Sequence, residues 1–276
     1  MVVGIVPAGQ VSEMLADPLS WLLSQAALEL VPVLHLFGGP FVTVEAQRVD
    51  IPEGSKRLLV FVALHRGPVE RRHAAGVLWP VGSDLRAAGN LRSALWRLQG
   101  AGIPLLSVDK YSLTLHDDVL VDLRIVSEWT ARLICGSASH EDLEVIPWGI
   151  DGLELLPGWY DDWALLERER VTQRVLHGLE VQSRRLAERG RCAEAVDAAL
   201  VAVGADPLRE SAQQALIEAH LAERNWAEAR RRFEVYRKLV RRELGVEPSP
   251  QLSALVNHDA NVHLGLRYAA SSGREI

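Results

Sequence analysis

The 276-residue sequence predicts a mainly α-helical protein with a small β component. Two observations lead to this fold class. The first half reads, in order, as short strands, two helices, a turn, a third helix and a β-hairpin. The second half has apolar residues at helical spacing, and its small residues recur with an offset of 34 residues. We therefore expect a winged helix-turn-helix domain followed by an all-α, tetratricopeptide-like domain.

The winged domain is expected at residues 33–118. Val33–Phe37 and Phe41–Val44 flank Gly-Gly-Pro and predict a hairpin, and a third short strand is expected through Val49 and Ile51. The next segment, KRLLVFVALHR, is apolar on nearly every side and predicts a buried helix capped by Ser55.

A second helix is predicted over Glu70–Trp79, where Pro80 stops it. A short turn then leads into a third helix over Asp84–Gln99, with Asp84 as its N-cap. On a helical wheel the apolar side of this third helix consists of Ala88, Leu91, Leu95 and Leu98. The opposite side carries Arg86, Asn90, Ser93 and Arg97, with Arg92 on the flank.

Beyond the third helix, apolar residues alternate on both sides of Asp109-Lys110, which predicts a two-stranded hairpin, the wing. Taken alone, the pattern of the third helix favours a solvated amphipathic helix. Its place between a helix-turn and a wing instead favours insertion into the DNA major groove, with the wing on sugar-phosphate. Arginine and asparagine suit that position because they form paired hydrogen bonds with guanine and adenine.

Charge is distributed unevenly along the chain. The formal net charge is −6, but residues 54–110 contain nine Lys/Arg and three acidic residues. This segment is therefore basic, and the remainder of the chain is acidic. Such an asymmetry is typical of a nucleic-acid-binding module joined to an acidic module, although chance clustering on a solvated surface gives the same count.

The second domain is expected at residues 119–256. Gly190, Ala195 and Ala199 are followed, 34 residues later, by Arg224, Ala229 and Phe233. Pro207 lies twelve residues beyond Ala195, where a tetratricopeptide unit has its closing proline. Two stacked helical hairpins are predicted; they could form a peptide-binding groove or serve only as a structural solenoid.

Several stretches resemble a known family. LLPGWYDDWALLERERV, the DPLRE at 206–210 and WAEARRRFEVYRKLVRRELGVEPSPQL resemble the bacterial transcriptional activator domain. LFGGPFVTV, GSKRLLVFVALHRG and NLRSALWRLQ are similar to the OmpR-type winged helix of SARP-type activators. The resemblance spans about Val33 to Val256.

This resemblance implies a sequence-specific transcriptional activator that binds direct repeats in double-stranded DNA, as a homodimer, and contacts the sigma and alpha subunits of RNA polymerase. It places base reading on Asn90, Ser93 and Arg97, and the tip of the wing on Lys110 and Tyr111. Four further arginines are expected to bind DNA: Arg71, Arg72, Arg86 and Arg92. Because the sequence has no G-x-x-x-x-G-K-[ST] motif, we expect the small form of the family that lacks an ATPase module.

Other classes of function find no support in the residues. The histidines are scattered, no catalytic motif is present, and we expect no enzyme activity, metal or cofactor. Cys135 and Cys192 stand alone, which suits a reducing cytoplasm. No signal peptide or membrane span is predicted. Residues 1–32 form an extension without an assigned role, and 257–276 are expected to be a disordered tail.

One alternative of a different class remains at this stage. The chain could be a tetratricopeptide-like adaptor whose winged helix has lost DNA binding and now makes protein contacts. The acidic net charge favours that alternative, whereas the basic tract and the arginines of the third helix favour DNA binding.

Overall fold

The computed structural model describes residues 31–44, 47–101, 105–145 and 154–256. The predicted extension and tail therefore lie, apart from residues 31 and 32, outside the described residues. By their contacts the described residues form two compact units. The winged unit contains residues up to 127 together with 154–169, and the helical unit contains 128–145 and 170–256.

The secondary structure follows the predicted order. The strands are β1 (Val33–His35), β2 (Phe41–Val44), β3 (Gln47–Val49), β4 (Val69–Glu70), β5 (Leu106–Val108), β6 (Ser112–Leu115) and β7 (Leu120–Val121). The helices are α1 (Glu53–Leu64), α2 (Arg71–Leu78), α3 (Asp84–Gly100), α4 (Asp122–Cys135), α5 (His140–Glu144), α6 (Asp162–Glu188), α7 (Cys192–Ala205), α8 (Glu210–Ala222) and α9 (Trp226–Leu244). Residues 250–256 are also helical.

The winged unit contains two small sheets. The first has the order β3-β2-β1-β7, in which β1 and β7 are parallel and the other pairs are antiparallel. The second is the antiparallel sheet β4-β6-β5, whose β5–β6 hairpin is the predicted wing. Helices α1 to α3 lie between β3 and β5 in sequence, so the winged helix-turn-helix fold is confirmed.

A buried carboxylate ties the first sheet to the start of α4. Asp122 is fully buried, and its two oxygens accept hydrogen bonds from the backbone amides of Leu36, Phe37 and Leu123. Three amide donors satisfy the charge that burial would otherwise leave unpaired. The chain beyond the wing therefore contributes to the stability of the winged unit.

Helix α1 is the centre of the winged unit, as its all-round apolar pattern predicts. All residues from Leu58 to Ala63 are buried. The expected cap is wrong, however: α1 begins at Glu53, and Ser55 lies inside the helix. Its hydroxyl is fully buried and donates to the Ala94 carbonyl at 2.8 Å, so Ser55 fastens α1 to α3.

The bounds of the next two helices differ slightly from the predicted bounds. Helix α2 covers Arg71–Leu78, one residue shorter at each end than expected. Helix α3 has Ser83 as its N-cap, whose hydroxyl accepts from the Arg86 amide, so the predicted Asp84 cap is wrong by one position. Asp84 is instead in the first turn, where a carboxylate interacts favourably with the helix dipole.

The helical unit shows the predicted 34-residue repeat in its backbone. Gly190 and Arg224 are both in the left-handed conformation, with φ of 77° and 62°. The amide after each donates to a carbonyl five residues earlier: Arg191 to Leu186, and Asn225 to His220, both at 2.9 Å. The same helix-ending motif thus occurs twice, and it precedes helices α7 and α9 in equivalent ways.

Side-chain packing in the helical unit is consistent with the repeat. Ala195 and Ala229, the equivalent small residues of α7 and α9, are 0% and 1% exposed. Their size allows neighbouring helices to approach closely. Stacked helical hairpins of the tetratricopeptide kind are thus present.

A membrane span requires a helix that is both long and apolar. None of the helices of the described residues meets both requirements.

Candidate nucleic-acid interface

Helix α3 presents a different side to solvent from the one the wheel predicted. Its buried residues are Ala87, Leu91, Ala94, Leu95 and Leu98, whereas Ala88 is only half-buried. Because Ala87 and Ala94 replace Ala88 in the contact with the core, the exposed side is rotated by roughly 30–40° from the predicted one. The bond from Ser55 to the Ala94 carbonyl fixes this rotation.

Most of the predicted reading residues of α3 are accessible. Arg86, Arg92, Ser93 and Arg97 are exposed, and Asn90 is half-buried on the flank. None of the three arginines has an ion-pair partner among the residues that the structure describes. Their positive charge is therefore available to an external partner.

Two of these side chains have specific local contacts. The Ser93 hydroxyl donates to the Gly89 carbonyl at 3.1 Å, so it can still accept a hydrogen bond from outside the helix. The Arg97 guanidinium lies over Gly54 in the first turn of α1, where a Cβ in place of the glycine hydrogen would collide with Nη1. Glycine at residue 54 leaves the space in which this guanidinium lies.

The tip of the wing is a tight turn held by one carboxylate. Asp109 Oδ1 accepts from the amides of Tyr111 (2.6 Å) and Ser112 (2.7 Å), and Oδ2 accepts from the Ser112 hydroxyl (2.6 Å). These hydrogen bonds, the Ser112 hydroxyl first, and the charge of Arg71 lower the pKa of Asp109. An aspartate that folds back on its own turn is a common way to build a loop tip.

The two predicted residues of the wing tip project from this turn. Tyr111 is 72% exposed, and the Lys110 ammonium lies 5.2 Å from the centre of its ring. Among the described residues other than glycine, a positive φ occurs only at Leu156 and Arg224, so Lys110 causes no backbone strain in the turn. The wing thus presents a cation and an aromatic ring side by side.

Arg71 connects the wing to the helix-turn-helix. Its backbone amide donates to the Tyr111 carbonyl at 2.8 Å, and its Nη1 donates to the Asp109 carbonyl at 2.9 Å. Arg71 is therefore a residue that positions the wing as well as a cation. The neighbouring Arg72 is exposed at the start of α2.

The sequence pattern did not predict two exposed apolar residues of α3. Leu85 and Trp96 are 84% and 74% exposed. They are opposite the true buried side, and a wheel centred on Ala87 and Ala94 would have identified them. The predicted seam, centred nearer Ala88, placed them on the flank instead.

The described residues contain no group of three or more His, Cys, Asp or Glu side chains arranged to hold a metal ion. Asp161 has a structural role before α6, and Asp162 lies in the first turn of that helix. The Asp161 carbonyl accepts from the Ala164 and Leu165 amides at the start of α6, and its carboxylate pairs with Arg57 of α1. The contacts of Asp161 are therefore hydrogen bonds and one ion pair.

Comparisons with known proteins agree with this architecture. Residues 150–258 match the model of the bacterial transcriptional activator domain. The structure is similar to that of Mycobacterium tuberculosis EmbR in complex with a low affinity phosphopeptide, with a TM-score of 0.60 and 20% sequence identity. The similarity covers 82% of this chain and 64% of the EmbR chain. No curated protein matches the sequence.

At this identity, the similarity to EmbR establishes the fold, and the domain match establishes the content of the second half. Both agree with the resemblance found in the sequence, which is thereby confirmed. The chain carries a bacterial transcriptional activator domain behind a winged helix-turn-helix fold.

Proposed function

We propose that this protein is a sequence-specific DNA-binding regulator of transcription, with α3 in the major groove and the β5–β6 wing on the sugar-phosphate backbone. The observation that carries the proposal is the exposed side of α3. It presents Arg86, Arg92 and Arg97 without ion-pair partners among the described residues, and no acidic residue follows Asp84 in this helix.

Each predicted residue has a distinct task in this proposal. The guanidinium groups of Arg86, Arg92 and Arg97 can bind guanine through two parallel hydrogen bonds. Asn90 suits adenine from the flank, and Ser93 accepts or donates a single hydrogen bond. Lys110, Tyr111, Arg71 and Arg72 contact phosphate and sugar, which set the position of α3 without reading sequence.

The wider role follows from the family. A SARP-type activator would bind direct repeats as a homodimer and contact the sigma and alpha subunits of RNA polymerase, in the cytoplasm. Two protomers that also contact each other raise the effective concentration of the second at its site. On this proposal, moving the two sites apart by about five base pairs abolishes cooperative binding, because the second site then faces the opposite side of the duplex.

Salt dependence of DNA binding tests the proposal. The full chain is titrated with a duplex selected from a random pool, at several salt concentrations, using fluorescence anisotropy. We expect log affinity to fall linearly with log salt, with a slope near −0.9 per neutralised phosphate. The triple variant Arg86→Ala/Arg92→Ala/Arg97→Ala should lose selection of any consensus.

Arg189→Ala is the matched control, since Arg189 is an exposed arginine of the helical unit without an ion-pair partner among the described residues. This variant should bind as the unchanged protein does. Failure of the full chain to enrich any duplex would reject DNA binding.

The adaptor alternative has one observation in its favour. The formal net charge of −6 opposes a polyanion at long range. If the winged unit makes protein contacts instead, the chain should bind RNA polymerase equally well with and without promoter DNA. On the DNA-binding proposal, recruitment of polymerase depends on the selected duplex.

A further inference from the structure

We propose that Leu85 and Trp96 read the C5-methyl groups of thymine bases in the major groove. This inference rests on the proposed function, because it assigns a specificity to the same helix. It concerns two residues whose exposure has no structural explanation in the winged unit.

The two side chains lie on one line of α3. Eleven residues separate them, which is close to three helical turns, so both project in nearly the same direction about 16 Å apart. With exposures of 84% and 74%, they are among the most accessible large apolar side chains of the described residues. This line is opposite Leu91 and Leu98, which are buried, with exposures of 2% and 7%.

Space between the two residues allows α3 to approach a base edge closely. Gly89 lies on the same line, and a Cβ there would meet only Arg92 Nη2, at 3.8 Å. The centre of the exposed side is therefore a shallow depression between Leu85 and Trp96. Close approach of a helix backbone is one of the uses of glycine.

Charge around the line favours DNA over an apolar surface. Arg86 and Arg97 lie on one flank and Arg92 on the other, and all three are exposed. An apolar protein or lipid surface would have to desolvate these cations, whereas the major groove offers them base edges and phosphates as hydrogen-bond acceptors. The occupant that fits an apolar line between cations is duplex DNA.

The chemistry of the bases then identifies the ligand group. Thymine presents a methyl group to the major groove, and this methyl is the apolar contact point of the groove. Cytosine has a hydrogen at the same position. Leucine and tryptophan held against a thymine methyl would therefore distinguish thymine from cytosine, while the arginines and Asn90 read purines.

Deoxyuridine removes only the methyl group and so tests the proposal directly. A duplex selected from a random pool is resynthesised with deoxyuridine at one thymine position at a time. We expect the unchanged full chain to lose about fourfold in affinity at one or two positions, as the burial of a methyl group predicts. This measurement needs no variant, so it does not depend on the folding of a mutant.

Variants assign each position to a side chain. Trp96→Ala and Leu85→Ala should each weaken binding to the thymine duplex and become insensitive to deoxyuridine at one position. Leu166→Ala is the matched control: Leu166 is a 66% exposed leucine of α6, in the same unit but on another helix. It should retain both the affinity and the sensitivity to deoxyuridine.

Equal affinity for every thymine and deoxyuridine duplex would overturn this inference and leave DNA binding intact. If no duplex binds at all, the proposed function fails instead. If Trp96→Ala and Leu85→Ala bind DNA as the unchanged protein does but lose RNA polymerase, the line is a protein contact and the inference is wrong.

Discussion

The backbone amide of Ser249 donates to Glu210 Oε2 at 3.0 Å, although 39 residues separate them. The buried Tyr236 hydroxyl lies 3.4 Å from the same oxygen and 3.4 Å from the Leu208 carbonyl. One carboxylate at the start of α8 thus binds both α9 and the segment that follows it. Glu210 closes the helical unit at its C-terminal end.

Replacing Glu210 by alanine should lower the free energy of unfolding by about 1–3 kcal/mol, because the Ser249 amide and the Tyr236 hydroxyl lose their shared acceptor. Urea titration followed by circular dichroism measures this change. Glu243→Ala is the control, since among the described residues the exposed Glu243 pairs only with Arg242, and it should change stability by less than about 0.5 kcal/mol. Equal effects of the two substitutions would exclude the proposed role of Glu210.

The same cluster predicts sensitivity to alkaline pH. Burial first, and then the charge and hydrogen bond of Glu210, raise the pKa of Tyr236 to about 12, against an ordinary value of 10.0. The folded state therefore favours the neutral phenol of Tyr236. This preference contributes fully to stability below pH 10, and the contribution is lost as pH rises toward 12. Tyr236→Phe cannot ionise, so its stability should fall less over this interval, by about 1–2 kcal/mol. Parallel slopes for the two proteins would contradict the prediction.

The DPLRE motif at 206–210 is explained by the contacts that its side chains make. In DPLRE, Arg209 donates to the buried Glu180 at 2.5 Å, Asp206 accepts from the Leu208 amide, and Glu210 forms the cluster above. The domain could be predicted from this motif because these contacts require these residue types. The long-range partners Glu180, Tyr236 and Ser249 could not be predicted, since they lie 26 to 39 residues away in the sequence.

The winged unit shows where prediction from periodicity ends. The order of strands and helices followed from hydrophobic pattern, but the rotation of α3 did not. That rotation follows from the burial of Ala87 and Ala94, and the Ser55 hydroxyl holds it through the Ala94 carbonyl. Alanines give weak hydropathy signals, so a wheel weighted by leucines misplaced the solvent-facing side by part of a turn.

The two left-handed residues of the 34-residue repeat give a matched pair of substitutions. Gly190 suits its φ of 77°, whereas Arg224 has a φ of 62° despite its side chain. Gly190→Ala should lower the free energy of unfolding by about 1 kcal/mol, and Arg224→Gly should raise it by up to about 1 kcal/mol. Thermal unfolding of both variants, compared with the unchanged protein, shows whether each substitution lowers or raises stability. Destabilisation by both would show that the Arg224 side chain contributes more than its strained backbone costs.

The pKa of Asp109 links the wing to acid pH. It is lowered by the Ser112 hydroxyl, by the Tyr111 and Ser112 amides and by Arg71. The turn should therefore persist as pH falls below the ordinary aspartate value of 3.8, and open only as pH falls through the lowered pKa. Amide chemical shifts of Tyr111 and Ser112 report this opening. Asp109→Asn removes the titration, so a pH-dependent shift that survives in this variant would have another origin.

Arg97 and Lys110 should separate the reading of bases from the positioning of the protein on DNA. Arg97 emerges from α3 beside Gly54 and can turn from α1 to a guanine, so Arg97→Ala should cost about 1–3 kcal/mol and relax preference at one base pair. Lys110 is at the wing tip, where phosphate is the expected contact. Lys110→Ala should weaken all duplexes alike and reduce the salt slope by about one phosphate.

Binding to the selected duplex and to all its single-base variants distinguishes these two patterns. Gly54→Ala is an informative companion, because the added Cβ would displace the Arg97 guanidinium from α1 without removing its charge. If Arg97 contacts α1 only when DNA is absent, Gly54→Ala should retain base preference while Arg97→Ala loses it. Uniform losses for both Arg97→Ala and Lys110→Ala would mean that Arg97 does not read a base.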